Sequence, residues 1–139
     1  IDISNVCLNL CKKNAYKLDV YDRIKLFKSD IDNFTKGKYD LVLSNPPYIK
    51  KLDLYKLDKD VRNFEPISAL NGGLDGLSEI RKVIIKSSEL IKRNGKLIIE
   101  IAFNQKNEVT KLLKENGFYI DTVIKDLAKN DRCIISKKI

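Results

Sequence analysis

Histidine, methionine and tryptophan are absent from the 139 residues, and cysteine and proline occur three times each. Without histidine, the usual general base near neutral pH and the usual nitrogen ligand of zinc are both missing. Cys7, Cys11 and Cys133 are odd in number and contain no Cys-x-x-Cys pair, so buried free thiols are expected in place of a disulfide framework or a metal site. No apolar run approaches the roughly 20 residues that cross a bilayer, and there is no charged-then-apolar leader. A cytoplasmic protein with no membrane partner is expected. The lack of methionine and the opening Ile1-Asp2 further predict a piece of a longer chain.

Charge and apolar residues are what the chain does have. Its net charge is +8, with 43% hydrophobic residues. One domain of this length can bury a core. That charge would favour an RNA-rich or otherwise acidic partner, but the lysines are scattered through every segment, which suits a solvated surface at least as well. With no target-recognition segment visible, direct nucleic-acid binding is not expected.

The chemistry concentrates in Asn45-Pro46-Pro47-Tyr48. The tetrapeptide follows Tyr39 to Ser44, a short apolar run that reads as a buried strand. It therefore sits at a strand's carboxyl end, where open α/β sheets place ligands. Two prolines remove two backbone donors, hold φ near −65° and bias Asn45 toward extended backbone. Such a stiff loop presents the Asn45 amide in one orientation. Asn45 Oδ1 and the proline carbonyls offer acceptors, and Tyr48 offers a flat face. The set suits a planar group bearing NH2; the simpler reading is a rigid turn.

Around it, strand and helix patterns alternate, which predicts an α/β fold. Ile1-Asp2 reads as a strand end, and Ser4 as the cap of a helix over about Asn5 to Lys17. Its apolar positions are Val6, Leu8, Leu10, Cys11, Ala15 and Leu18. Asp2, an acid between strand and helix, is placed to accept from ribose hydroxyls, although Asp also caps helices. A strand is predicted over Arg23 to Phe27, ending in Lys28-Ser29-Asp30-Ile31, where Ser29-Asp30 alternatively caps a turn. Residues 49 to 74 form a long charged stretch whose Val61, Phe64, Pro66, Ile67 and Leu70 predict a cover folded over a pocket. A helix over Leu77 to Lys92 faces Ile80, Val83, Ile84, Ser87, Leu90 and Ile91 inward. A buried strand at Lys96 to Ile101 and a helix over Gln105 to Asn116 follow. Strands at Phe118 to Lys125 and Arg132 to Ser136 complete an antiparallel terminal pair.

Asn-Pro-Pro-Tyr resembles the catalytic motif of S-adenosylmethionine-dependent methyltransferases acting on planar amino or amide nitrogens. Further segments sharpen the likeness: Val61-Arg62-Asn63-Phe64-Glu65-Pro66, Ala69 to Leu77 with its Gly-Gly-Leu-Asp-Gly, Glu100-Ile101 with Gln105, and Asp126-Leu127-Ala128 with Asp131-Arg132. With Asp2 and Ser29-Asp30, these look like the peptide chain release factor glutamine N5-methyltransferases of the HemK/PrmC type, over nearly all of the chain. The resemblance implies a Rossmann-like methyltransferase fold with a mostly parallel sheet and an antiparallel C-terminal pair. It implies S-adenosylmethionine as cofactor, and class 1 release factors as partners, methylated on the glutamine of their Gly-Gly-Gln loop by a monomeric enzyme. It carries over Asp2, Asp30, Ile31 and Asn45 as cofactor neighbours. Asn45, Pro46, Pro47 and Tyr48 become the amide clamp, with Phe64 and Glu65 on the substrate side. No metal is implied.

Three positions depart from that pattern. Ile31 stands where an aromatic is frequent, and Ala102 and Lys129 stand where glycine is common. The family's first strand and Gly-rich loop, and its N-terminal helical domain, have no counterpart here. Losing that central strand should split the sheet in two and expose an apolar edge. Two other readings compete: an adenine-N6 nucleic-acid methyltransferase, whose base would have to be flipped out of the stack, and an inactive fragment.

Overall fold

The computed structural model describes residues 1–139, which divide into two compact units, Ile1–Thr35 and Lys36–Ile139.

The first unit is built around helix α1, Asn5–Lys17. Ser4 caps it as the sequence predicts, its Oγ accepting from the Cys7 backbone N–H at 3.3 Å. Tyr16 stacks on Tyr21 with ring centroids 3.9 Å apart. The strands predicted at Ile1-Asp2 and Arg23 to Phe27 do not form. Only an isolated parallel bridge joins Asp2 to Lys28, flanked by a 3-10 turn at Tyr21–Arg23. A two-strand pairing without further neighbours is marginal, which accounts for a bridge in place of a ladder. Of the apolar positions on α1, only Ala15 is buried; Val6, Leu10 and Leu18 are exposed. Cys7 and Cys11 are exposed too and Cys133 is half-buried, so the expectation of buried thiols fails. A unit of this size covers one stripe of a helix, and both thiols of α1 lie outside that stripe.

The second unit carries a mixed four-stranded sheet in the order β1-β2-β4-β3. Strand β1 spans Tyr39–Ser44. Short helices α2, Lys59–Phe64, and α3, Ile67–Leu70, follow, then α4, Ser78–Leu90. The chain continues through β2, Ile91–Glu100, helix α5, Lys106–Glu115, and strands β3, Phe118–Lys125, and β4, Asp131–Lys138. β1 runs parallel to β2; β2–β4 and β3–β4 are antiparallel, so the predicted terminal pair is present but the sheet is not mostly parallel. The strands expected at Ile1-Asp2 and Arg23 to Phe27, which would have added parallel neighbours, do not form. The core lies on the central strands and one face of each long helix. Leu97, Ile99, Ile101 and Ile134 are fully buried, as are Ile80 and Ile84 of α4 and Val109 and Leu113 of α5. The inward face predicted for α4 is buried throughout.

β2 begins earlier than predicted, because Ile91 already pairs with Tyr39 and Lys92 to Gly95 bulge out before pairing resumes at Lys96. Tyr39 is opposite Ile91 and Leu41 opposite Lys96, so the extra residues fall on β2. Gly95 is required there by crowding: a Cβ would stand 2.9 Å from the Asp40 carbonyl oxygen and 2.7 Å from Ile91 Cγ2. The other side of β1 has no partner, and Leu41 and Leu43 are exposed.

Candidate functional site

The loop after β1 is held by its backbone on one side and left free at its first side chain. Pro46 is buried, Pro47 and Tyr48 are half-buried, and Asn45 is exposed with its side-chain amide unpartnered. Asn45 thus projects from a fixed corner at the carboxyl end of β1.

Three separate stretches fix that corner. Past it the chain forms a parallel bridge between Ile49 and Asn71, with Ile49 N–H donating to the Leu70 carbonyl at 3.0 Å and Gly72 N–H to the Ile49 carbonyl at 2.8 Å. The Gly72 to Gly76 segment lies directly against the corner's backbone. A Cβ on Gly72 would meet Tyr48 Cα at 2.8 Å and the Pro47 carbonyl at 2.9 Å. A Cβ on Gly76, whose φ is +78°, would meet the Tyr48 carbonyl at 2.6 Å. These glycines are there because backbone packs on backbone, and Gly76 also because its φ is left-handed.

Below them sits Gln105, only 5% exposed. Its Nε2 donates to the Tyr48 carbonyl at 3.2 Å and the Gly76 carbonyl at 3.0 Å, while Oε1 accepts from Ala102 N–H at 3.0 Å. The third stretch supports the ring. Tyr48 Oη donates to Glu100 Oε1 at 3.1 Å at the end of β2. Burial first, then the Glu100 carboxylate, pushes the Tyr48 phenol above its usual value, against the smaller opposing charge of Arg132. Arg132 donates to Asp126 Oδ2 at 3.0 Å and to the Ile101 carbonyl at 3.2 Å. The Asn130 backbone N–H, then Arg132, hold Asp126 below the ordinary carboxylate range.

The sequence pattern alone gives neither Gln105 nor Glu100 a role. A long polar residue opening a helix just after a buried strand was the available signal for Gln105. Nothing local pointed from Glu100 to Tyr48.

The segment predicted to cover the pocket is different from expectation. It folds into a 3-10 turn at Lys51–Lys56 and the short helices α2 and α3, and its apolar side chains point outward. Phe64 is 83% exposed, with Glu65, Pro66 and Ile67 exposed beside it; Val61 and Leu70 are half-buried. Short helices of four and six residues have too little apolar face to bury themselves. Phe64 therefore shields nothing in this structure.

In the first unit, Asp2 Oδ1 accepts from Ser4 N–H at 2.7 Å, and its second oxygen has no partner. Asp30 caps a 3-10 turn, Ile31–Asn33, through Oδ1 to Asp32 N–H at 3.2 Å, so the capping alternative is realised. Ile31 is half-buried beside it. A concavity of about 570 Å³ in this unit is lined by Leu8, Lys12, Tyr21, Lys25 and Phe27, and by none of Asp2, Asp30 or Ile31.

Known proteins match both sequence and fold. The family model described as UPF0020, RMKL-like, methyltransferase domain, matches residues 1–60. A release factor glutamine methyltransferase of Clostridium botulinum is 39% identical over 99% of this chain and 50% of its own length. One from Clostridium acetobutylicum is 37% identical over 97% of this chain and 48% of its own. The chain is related to the release factor glutamine methyltransferases. It spans about half the length of these relatives. Its fold matches the crystal structure of ribosomal protein L11 methylase from Lactobacillus delbrueckii subsp. bulgaricus with a TM-score of 0.69 at 19% identity, covering 99% of this chain and 56% of that one. The fold is thus that of the Rossmann-like methyltransferases, with the antiparallel terminal strands the resemblance implies. No helix is long and apolar enough to cross a membrane.

Of the departures from the methyltransferase pattern, Ala102 is accommodated with no left-handed backbone, whereas Lys129 has a φ of +65°. Glycine is the natural residue at the second position and unnecessary at the first.

Proposed function

We propose that the chain is part of the catalytic domain of a protein that transfers the methyl group of S-adenosylmethionine to the side-chain amide nitrogen of the Gly-Gly-Gln glutamine in class 1 release factors. The observation that carries this is Asn45: an unpartnered, exposed amide on a corner whose backbone is tied down from three directions. The activity of the release factor glutamine methyltransferases that the chain resembles supplies the substrate class, and the corner supplies chemistry that fits it.

An amide nitrogen is a poor nucleophile because its lone pair is delocalised into the carbonyl. Asn45 Oδ1 and the Pro46 carbonyl accept its two hydrogens, which orients the nitrogen and stabilises the positive charge that develops on it. Because the corner is rigid, little reorganisation accompanies the reaction. Tyr48, its ring anchored through Glu100, lies along the flat group. No strong base is required, so a chain without histidine is competent for these roles. Proton loss follows transfer.

The donor set of the first unit fits the cofactor in chemistry. The free oxygen of Asp2 is available to ribose hydroxyls, and Asp30 and Ile31 supply a polar edge and an apolar face for a purine. The cofactor contributes an electrophilic methyl group. Phe64 and Glu65, exposed on the same segment, are assigned to the release factor side.

The test is to incubate the intact protein with methyl-labelled S-adenosylmethionine and either a class 1 release factor or DNA. Label on the Gly-Gly-Gln glutamine supports the reading. Label on adenine alone sinks it in favour of a nucleic-acid substrate.

A further inference from the structure

The residue that ties the corner together is remote from the proposed chemistry. Gln105 opens α5, is almost fully buried, and makes three hydrogen bonds that use both ends of its amide. The orientation is dictated by its neighbours: two carbonyl oxygens face Nε2 and one N–H faces Oε1, so a flipped amide would lose all three. Two of the bonded groups, Tyr48 and Gly76, belong to the strand exit and to the glycine segment; the third, Ala102, belongs to the chain leaving β2. Gly72 and Gly76 leave no room for a side chain where these backbones meet.

We infer that Gln105 is a positioning residue, which sets the placement of the Asn45 to Tyr48 corner, and hence turnover, without touching substrate or cofactor. This deepens the function proposed above, and its activity arm rests on that reading. Its amide-exchange arm does not.

Two variants separate positioning from general packing. Gln105→Met keeps the length and volume but has no donor. Gln105→Glu keeps the shape, turns an oxygen toward the two carbonyls when ionised, and regains one O–H donor when protonated. In the 139-residue chain, amide-exchange protection at Ile49, Gly72 and Ser78 should fall about tenfold or more in Gln105→Met, the scale of one lost hydrogen bond. Protection in the β2–β4 ladder should stay unchanged. In Gln105→Glu the same amides should regain protection on acidification, a pH response that Gln105→Met lacks. If Gln105→Met does not fold, Gln105→Glu carries the test across pH.

In the intact protein, kcat should fall in both variants by a similar factor, with KM for S-adenosylmethionine nearly constant and with acid recovery only in Gln105→Glu. Unchanged protection at the corner overturns the inference. So does loss spread evenly through the ladder, which would make Gln105 an ordinary core residue. Should the wild-type protein methylate no release factor, the functional reading falls and the exchange data alone decide the role of Gln105.

Discussion

Tyr48 and Glu100 close the gap between the ends of two parallel strands: the phenol of the first donates to the carboxylate of the second at 3.1 Å. The bond joins the exit of β1 to the exit of β2, the edge along which α/β folds arrange their ligands. It also makes the Tyr48 ring part of the sheet's frame.

Removing that hydroxyl has a pH-dependent consequence. The Tyr48 pKa is raised by burial and by Glu100, so the folded state holds the phenolic proton more tightly than the unfolded one. Its contribution to stability is full below the ordinary tyrosine value of about 10 and is lost as pH rises through the raised value. Tyr48→Phe should lower stability at neutral pH by about 0.5–1.5 kcal/mol. It should also flatten the decline above pH of about 10. Denaturant melts at pH 7 and in the alkaline range check both; an unaltered alkaline slope would contradict the assignment.

Asn45→Ala removes the acceptor and leaves the corner's backbone ties in place. Methyl transfer by the intact protein should fall by about 10²–10³-fold, the usual loss for one preorganised polar group. Calorimetric titration should find S-adenosylmethionine affinity nearly unchanged. Turnover close to wild type would remove Asn45 from the mechanism.

Gly76→Ala tests the backbone packing under the corner. The new methyl would approach the Tyr48 carbonyl to 2.6 Å and would sit on a residue with a φ of +78°. Left-handed strain of about 1–2 kcal/mol adds to an overpacking cost of about 1–3 kcal/mol. Thermal unfolding should show a loss of that order, and a Tm within a degree of wild type would mean that the two loops separate easily.

Lys129→Gly should act in the opposite direction. Lys129 sits in the turn that closes β3 on β4, where its N–H donates to the Asp126 carbonyl with φ at +65°. Glycine relieves the left-handed strain while losing more backbone freedom, for a net gain of about 0.5–1 kcal/mol. A chemical-denaturation midpoint that drops would refute this.

Much of this molecule was legible in the sequence where periodicity and breakers act locally. Helix α1 behind its Ser4 cap and strand β3 after Gly117 match their predicted bounds. The predicted apolar face of α4 is buried, although that helix ends at Leu90 and not at Lys92 because Ile91 already pairs in β2. Elements that depend on distant neighbours were less legible. Arg23 to Phe27 alternates like a strand, yet without a full set of partners it forms none, and the one bridge falls just beyond it at Lys28. Phe64 and Ile67 are apolar enough to predict burial, but α2 and α3 are too short to turn them under. At the site, Asn45 to Tyr48 announced itself through two prolines. Gln105 announced itself only faintly, as a polar residue opening a helix after a buried strand, because two of the three backbones that converge on it come from far away in the chain.

The tight turn between Asp126 and Asn130 has a bearing on the order of folding. β3 and β4 meet across that turn, whereas β1 must find β2 across the whole stretch from Tyr39 to Ile91. Closing a hairpin takes about 1–10 μs, and long-range parallel pairing is far slower. Assembly of the sheet should therefore start at the C-terminus and work backwards. Pulse labelling during refolding that found Leu43 protected before Ile134 would reverse that order. The corner bearing Asn45, joined to the last strand to dock, would then be among the final parts of the protein to acquire its shape.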